Sequence, residues 1–210
     1  MAQQNDIKTF DDLCQHYLTW IIQYNSPTYD NPLFFVLYMD TDEEQTDRFV
    51  IFQTGEIFAT DSLSELKTAL LNQSDTLLRF GKVDSWLADL ETFEPEANSV
   101  CDVGYIITSL EKGVITSLVL EEYVTFINLY GDYCHQDEAK KQLLVYTDDE
   151  LIRKPWDYFY NSVFWPQYNP EQATNGWKRP SLDIDTKILL TKLNEVIRTF
   201  ESRIKVVKSA

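Results

Sequence analysis

LFFVLYMDTDEEQTDRFVIF, residues 33–52, reads as two strands and the turn between them. The runs Leu33–Asp40 and Asp47–Phe52 are dense in aromatic and β-branched residues, which suit a pleated and largely buried surface. The intervening TDEEQT carries three acids, so the pair is expected to form a hairpin with an acidic tip.

On either side of this hairpin the period changes to that of helices. Phe10, Leu13, Tyr17, Ile21 and Tyr24 recur at helical spacing, and Thr9 with Asp12 stands where a capping pair would open the helix. Downstream, Gly55 precedes the short run EIFAT, and Ser62 with Glu65 forms an S-x-x-E pattern ahead of Leu63, Leu66 and Leu70, predicting a second helix. A third, short helix is expected around Trp86, Leu87 and Leu90, begun by Asp84 or Ser85 and ended near Pro95. GYIITSL (104–110) fits either a helix or a strand. From Ser117 to Tyr130 the polar positions Glu121, Thr125, Asn128 and Asp132 form one stripe on an otherwise apolar helix, which places that helix in a core. LLVYT (143–147) is strand-like, and TDDE makes another acidic turn after it. A closing amphipathic helix over 185–205 puts Leu189, Leu193, Val196, Phe200 and Ile204 on one side. Between Trp165 and Pro180 the prolines and the Asn-Gly pair predict a long loop. Helices and short strands mix without a steady alternation, so the fold class is α+β, with a small, mostly antiparallel sheet packed by amphipathic helices.

The length fits one domain over residues 1–210, and the apolar content is too high for disorder. Charge is distributed unevenly within it. Residues 1–139 hold 25 Asp and Glu against 6 Lys and Arg, whereas residues 140–210 hold 9 against 12. A net charge of −16 resists self-association and attracts a basic partner from a distance. Direct binding of nucleic acid is disfavoured, because phosphate recognition depends on clustered Lys and Arg. A membrane partner is not expected either, since the longest apolar run, Leu33–Met39, is far shorter than a bilayer span. Cys14, Cys101 and Cys134 are odd in number and widely spaced, and the N-terminus has no basic and apolar leader; together they point to a reducing cytoplasm.

No catalytic or cofactor signature competes with the charge. Cys14–His16 and Cys134–His135 offer thiol and imidazole, but Cys14 and His16 would lie about 200° apart on a helix, so neither a zinc site nor a thiol nucleophile is indicated. The abundance of Asp and Glu removes any specificity from a paired-carboxylate reading. WDYFYNSVFWPQY (156–168) is the densest aromatic cluster, read mainly as core with some residues available to anchor an interface.

The order FVLYMDTDEEQTDRFVIFQTGEIFATDSLSELKTAL, then LEEYVTFINLYGDY, then WDYFYNSVFWP and a closing amphipathic helix, spanning 33–204, resembles a bacterial immunity protein of the kind encoded beside contact-dependent or other polymorphic toxins. The resemblance implies a non-enzymatic cytoplasmic protein whose partner is a cognate toxin C-terminal domain, often a basic nuclease, and it carries over no individual residue. Two other expectations rest on the same acidity: a nucleic-acid mimic that inhibits a host nuclease, and a carboxylate-dependent hydrolase. From charge, the candidate partner-binding residues are Asp40, Asp42, Glu43, Glu44 and Asp47, then Asp148, Asp149 and Glu150, with Trp177 as an anchor in the long loop.

Overall fold

A computed structural model describes residues 7–40, 46–78, 81–168 and 179–208. The chain forms two compact units, one of Met1–Cys101 with Arg203–Ala210, the other of Asp102–Ser202. The class is α+β. Among the described residues no helix is long and apolar enough to cross a membrane.

In the first unit α1 (Phe10–Tyr17) opens on the expected capping box. The Asp12 N–H donates to Thr9 Oγ1 and the Thr9 N–H donates to Asp12 Oδ2, each at 3.0 Å. Hydrogen bonding to the carboxylate, first from the Thr9 side chain and then from the Lys8 and Thr9 backbone N–H groups, holds the Asp12 carboxyl below its usual range. The helix then stops sooner than the spacing predicts. Leu18 turns left-handed at φ 51° and caps it, and β1 (Thr19–Asn25) follows. Ile21 and Tyr24, expected on the helix, are fully buried on this strand. Their spacing is compatible with either state, and the Trp-Ile-Ile run gains a ladder with β2 (Leu33–Met39) that extends from Thr19 opposite Tyr38 to Tyr24 opposite Leu33.

β2 is the centre of the sheet. It pairs antiparallel with β1, with β3 (Asp47–Phe49) and with β4 (Ile57–Thr60), so the expected hairpin over 33–52 is present. Residues Leu33 to Tyr38 are all buried, as a run apolar on both faces requires. The order is β5-β1-β2-β4-β6, with β5 at Ser99–Asp102, β6 at Ile204–Val207, and β3 alongside β2. The sheet is mixed, which corrects the mostly antiparallel expectation: β6 runs parallel to β4. It also shortens the closing helix, because Ile204 belongs to this strand, whose β-branched residues suit a sheet. The Ile57 N–H donates to the carbonyl of Arg203 at 2.7 Å where the strand begins.

α2 (Leu66–Asn72) starts later than its sequence signal. The predicted capping box does not form; the Ser62 N–H donates to Thr60 Oγ1 in a local turn, and Glu65 occupies the cap position without a side-chain bond. α3 (Gly81–Asp89) begins before Asp84 and continues as a short 3-10 turn over Leu90–Thr92. Trp86 and Leu90 from this segment join Leu13, Ile21, Val36, Phe52 and Phe58 in the core.

The second unit is helical. α4 (Val103–Glu111) resolves the GYIITSL stretch; Asp102 caps it, accepting the Tyr105 N–H at 2.8 Å. α5 (Ser117–His135), capped by Thr116, is the broadly apolar helix read from the sequence. Behind it, LLVYT is not a strand: Glu138–Val145 winds as 3-10 turns. A strand needs a neighbour to satisfy its backbone, and here the segment is held instead by the Tyr130 hydroxyl, which donates to the Leu143 carbonyl at 3.1 Å. α6 (Glu150–Phe159) passes into a π-helical turn over Tyr160–Phe164 and a 3-10 turn over Trp165–Tyr168, where the long loop was expected to begin. α7 (Thr186–Glu201) closes the unit and carries Phe200 into its centre. The Phe200 ring is fully buried against Phe126 at 5.8 Å and against Tyr130 and Tyr133 at 6.4 Å. Phe200→Ala should therefore lower stability by about 3–5 kcal/mol, read by denaturant unfolding. A loss below about 1 kcal/mol would show that this ring is not the packing centre of the unit.

Candidate functional site

The residues nominated from charge separate into those that the fold employs and those that it leaves exposed. Asp40 pairs with Arg48 at 3.2 Å across the base of the hairpin. Asp47 sits in β3, about half buried, and burial raises its carboxyl above the ordinary range; its Oδ1 has no hydrogen-bond partner among the described residues. Asp149 caps α6 by accepting the Leu151 N–H at 3.0 Å and lies 3.5 Å from Lys192. Asp148 and Glu150, on either side of that cap, are exposed. Asp42, Glu43, Glu44 and Trp177 lie outside the described residues.

Asp148 alone among the described candidates lines a groove of the second unit, about 410 Å³ in volume. α5 contributes Ile127, Asn128, Gly131, Asp132 and His135, which share one face because they fall three to four residues apart. Leu144 and Thr147 come from the 3-10 segment and the turn after it, and Arg153 and Trp156 from successive turns of α6. Gly131 is the open point of the helical wall: a Cβ built there would meet nothing within 4 Å.

Trp156 is held in place by a polar clamp. Its Nε1–H donates to Asn128 Oδ1 at 2.9 Å, the Asn128 amide donates in turn to the Tyr160 hydroxyl at 3.2 Å, and the Tyr160 ring lies 4.5 Å from the indole. The aromatic series continues from Tyr160 to Phe164 at 5.6 Å and from Phe164 to Tyr168 at 5.4 Å. The members of the 156–168 cluster differ in burial. Phe159 is packed inside, whereas Trp165 is 59% and Tyr168 66% exposed, so the cluster divides between core and surface as the two readings of 156–168 allowed.

In each cysteine–histidine pair the thiol is buried and the imidazole exposed. Cys14 is fully buried and its S–H donates to Asn98 Oδ1 at 3.6 Å. Burial pushes both the Cys14 and the Cys134 thiols up to about 11, which disfavours the thiolate that a nucleophile or a metal ligand requires. His16 is exposed and edge-on to Tyr17, and His135 is exposed at the groove.

Sequence reasoning missed Gly131 and Arg153 as site residues, named Trp156 only within the aromatic cluster from which some residues could anchor an interface, and read Asn128 and Asp132 only as the polar stripe of a core helix. That stripe was the available signal. What it could not show is that the turn before α6 brings a carboxylate, Asp148, to the same place.

Two outcomes are expected. Gly131→Ala should stabilise the protein by about 0.5–1 kcal/mol in denaturant unfolding, since the methyl group has room and a glycine inside a helix costs that much in backbone entropy. Asp47→Asn should raise the melting temperature at pH 7 and lose that advantage in acid. Because burial lifts the folded carboxyl above its ordinary 3.8, the folded state binds the proton more tightly. Stability therefore falls as pH rises from about 3.8 through the folded value, and the neutral amide escapes that loss. Equal gains at pH 3 and pH 7 would rule out charge burial as the cause.

No protein-family model matches the sequence, and no curated protein does. Among solved structures, the C-terminal domain of SatS, crystallised in complex with bromine, is similar with a TM-score of 0.57 and 15% identity, over 93% of this chain and 97% of that one. At that identity the likeness shows a shared fold: the chain adopts the α+β architecture of the SatS C-terminal domain.

Proposed function

We propose that the protein is a non-catalytic inhibitor of the immunity type, acting in the cytoplasm by binding a basic bacterial toxin domain. The observation that carries this reading is the exposed acidic turn, Asp148 and Glu150, beside a groove walled by Trp156. Surface carboxylates accelerate encounter with a cationic partner by roughly 10–10³-fold at low salt, and a fixed aromatic in a groove slows dissociation. The charge supports the same reading in both units: the first holds 18 acids against 8 bases and the second 16 against 10. Asp40 and Asp149 make a smaller contribution in this scheme, because Arg48 and Lys192 already offset them.

The test uses the full chain and the basic nuclease toxin domain encoded beside its gene, with nuclease activity and stopped-flow association as readouts. A complex should form, activity should be suppressed, and the association rate should fall steeply with added salt. Asp148→Lys with Glu150→Lys should slow association by about tenfold, a fraction of the steering that the whole field supplies. No complex, and no loss of nuclease activity at low salt, would refute the proposal.

A further inference from the structure

We infer that the groove of the second unit is a receptor for an arginine side chain of a protein partner. This rests on the reading above that the partner is basic, and it names the group that such a partner would insert.

The lining is chemically matched to a guanidinium. Asp132 and Asp148 bring two carboxylates to it, from α5 and from the turn before α6. Arg153 also lines the groove, but its guanidinium lies 3.8 Å from the Asp157 carboxylate on the next turn of α6, which offsets that positive charge. With Arg153 and Asp157 offsetting each other, the exposed Asp148 carboxylate keeps the groove negative. Trp156 supplies the apolar side of the match. Its one polar atom is spent on Asn128, so the indole offers carbon surface, and the electron-rich face of tryptophan is the preferred aromatic partner of a cation. Ile127 and Leu144 give the methylene stem an apolar path, while the bare Gly131 leaves open space where any other residue would put a side chain. The volume of about 410 Å³ lies within the range of about 300–1,000 Å³ found for ligand sites, enough for one long side chain with its flanking backbone.

Arginine suits this arrangement better than lysine. Its planar guanidinium stacks on an aromatic ring while its edge donates to carboxylates, whereas an ammonium is a compact, strongly hydrated charge. The Asn128–Trp156–Tyr160 clamp adds preorganisation, because the indole is fixed before anything binds and little rotamer entropy remains to be lost.

The experiment is a nitrogen–proton NMR titration of the full chain with Nα-acetyl-arginine methylamide. The indole resonance of Trp156 is assigned as the one that disappears in Trp156→Phe. That resonance should move in a saturable way with the arginine probe, less with the corresponding lysine probe, and not with the neutral citrulline probe at the same ionic strength. Asp148→Asn, an exposed and isosteric change, should weaken the arginine response by about tenfold. Gly131→Leu should abolish it by filling the groove, with circular dichroism confirming that the helices remain. An unmoved Trp156 resonance, or equal shifts from arginine and citrulline, would overturn the assignment. The two proposals fail separately. If the toxin domain is inhibited equally by the wild type and by Asp148→Asn with Gly131→Leu, the groove is wrong and the inhibitor reading stands. If the probe binds at Trp156 but no basic toxin domain is held, the reverse follows.

Discussion

The parallel ladder between β4 and β6 is the constraint on which the organisation of this chain depends. A parallel pair cannot be joined by a tight turn and needs a long crossover. Here the chain leaves the sheet after β5 and does not return to it until Arg203, so all of Asp102–Ser202 is an insertion between two strands of one sheet. The short C-terminal strand completes the first unit with residues from the far end of the sequence. Lys205 shows what the return contributes beyond backbone pairing, since its ammonium lies 4.2 Å from the centre of the Phe52 ring.

That topology changes the meaning of the charge pattern. Along the sequence the surplus of acids ends near residue 139, which suggests one acidic and one near-neutral portion. In space the cut falls elsewhere. Arg203, Lys205 and Lys208 belong with the acidic first hundred residues, while the remaining bases of the C-terminal part share a unit with Asp102, Glu111, Glu121, Glu122 and Asp132. Both units are therefore net negative, and the contrast read along the chain is largely a product of reading it in order.

Within the second unit, a carboxylate's role follows from its local backbone. Asp148, Asp149 and Glu150 are consecutive, yet Asp149 is drawn into the first turn of α6 as its cap while its neighbours are exposed. Glu122 is a comparable case: it accepts the backbone N–H of Asp102 at 2.8 Å, although its partial burial raises its carboxyl above the usual range. Acidity by composition thus divides into carboxylates that the fold uses and others, such as Asp148 and Glu150, that stay exposed.

The sequence by itself determined the elements whose signals are local. The hairpin over 33–52, the Thr9–Asp12 capping box, the apolar breadth of α5 and the α+β class all follow from side-chain period and cap chemistry, which act over a few residues. Tertiary structure decided the rest. Ile21 and Tyr24 fit a helix by spacing and became a strand because β2 offered them a ladder; Ile204 left the closing helix for the edge of β4; LLVYT had β propensity without a neighbouring strand and wound into 3-10 turns. The groove belongs to this second class. Asn128 and Gly131 are some two dozen residues from Arg153 and Trp156 along the chain, and they meet only because α5 and α6 pack together. No local pattern encodes that contact, since it is set by the burial of apolar faces shared between helices.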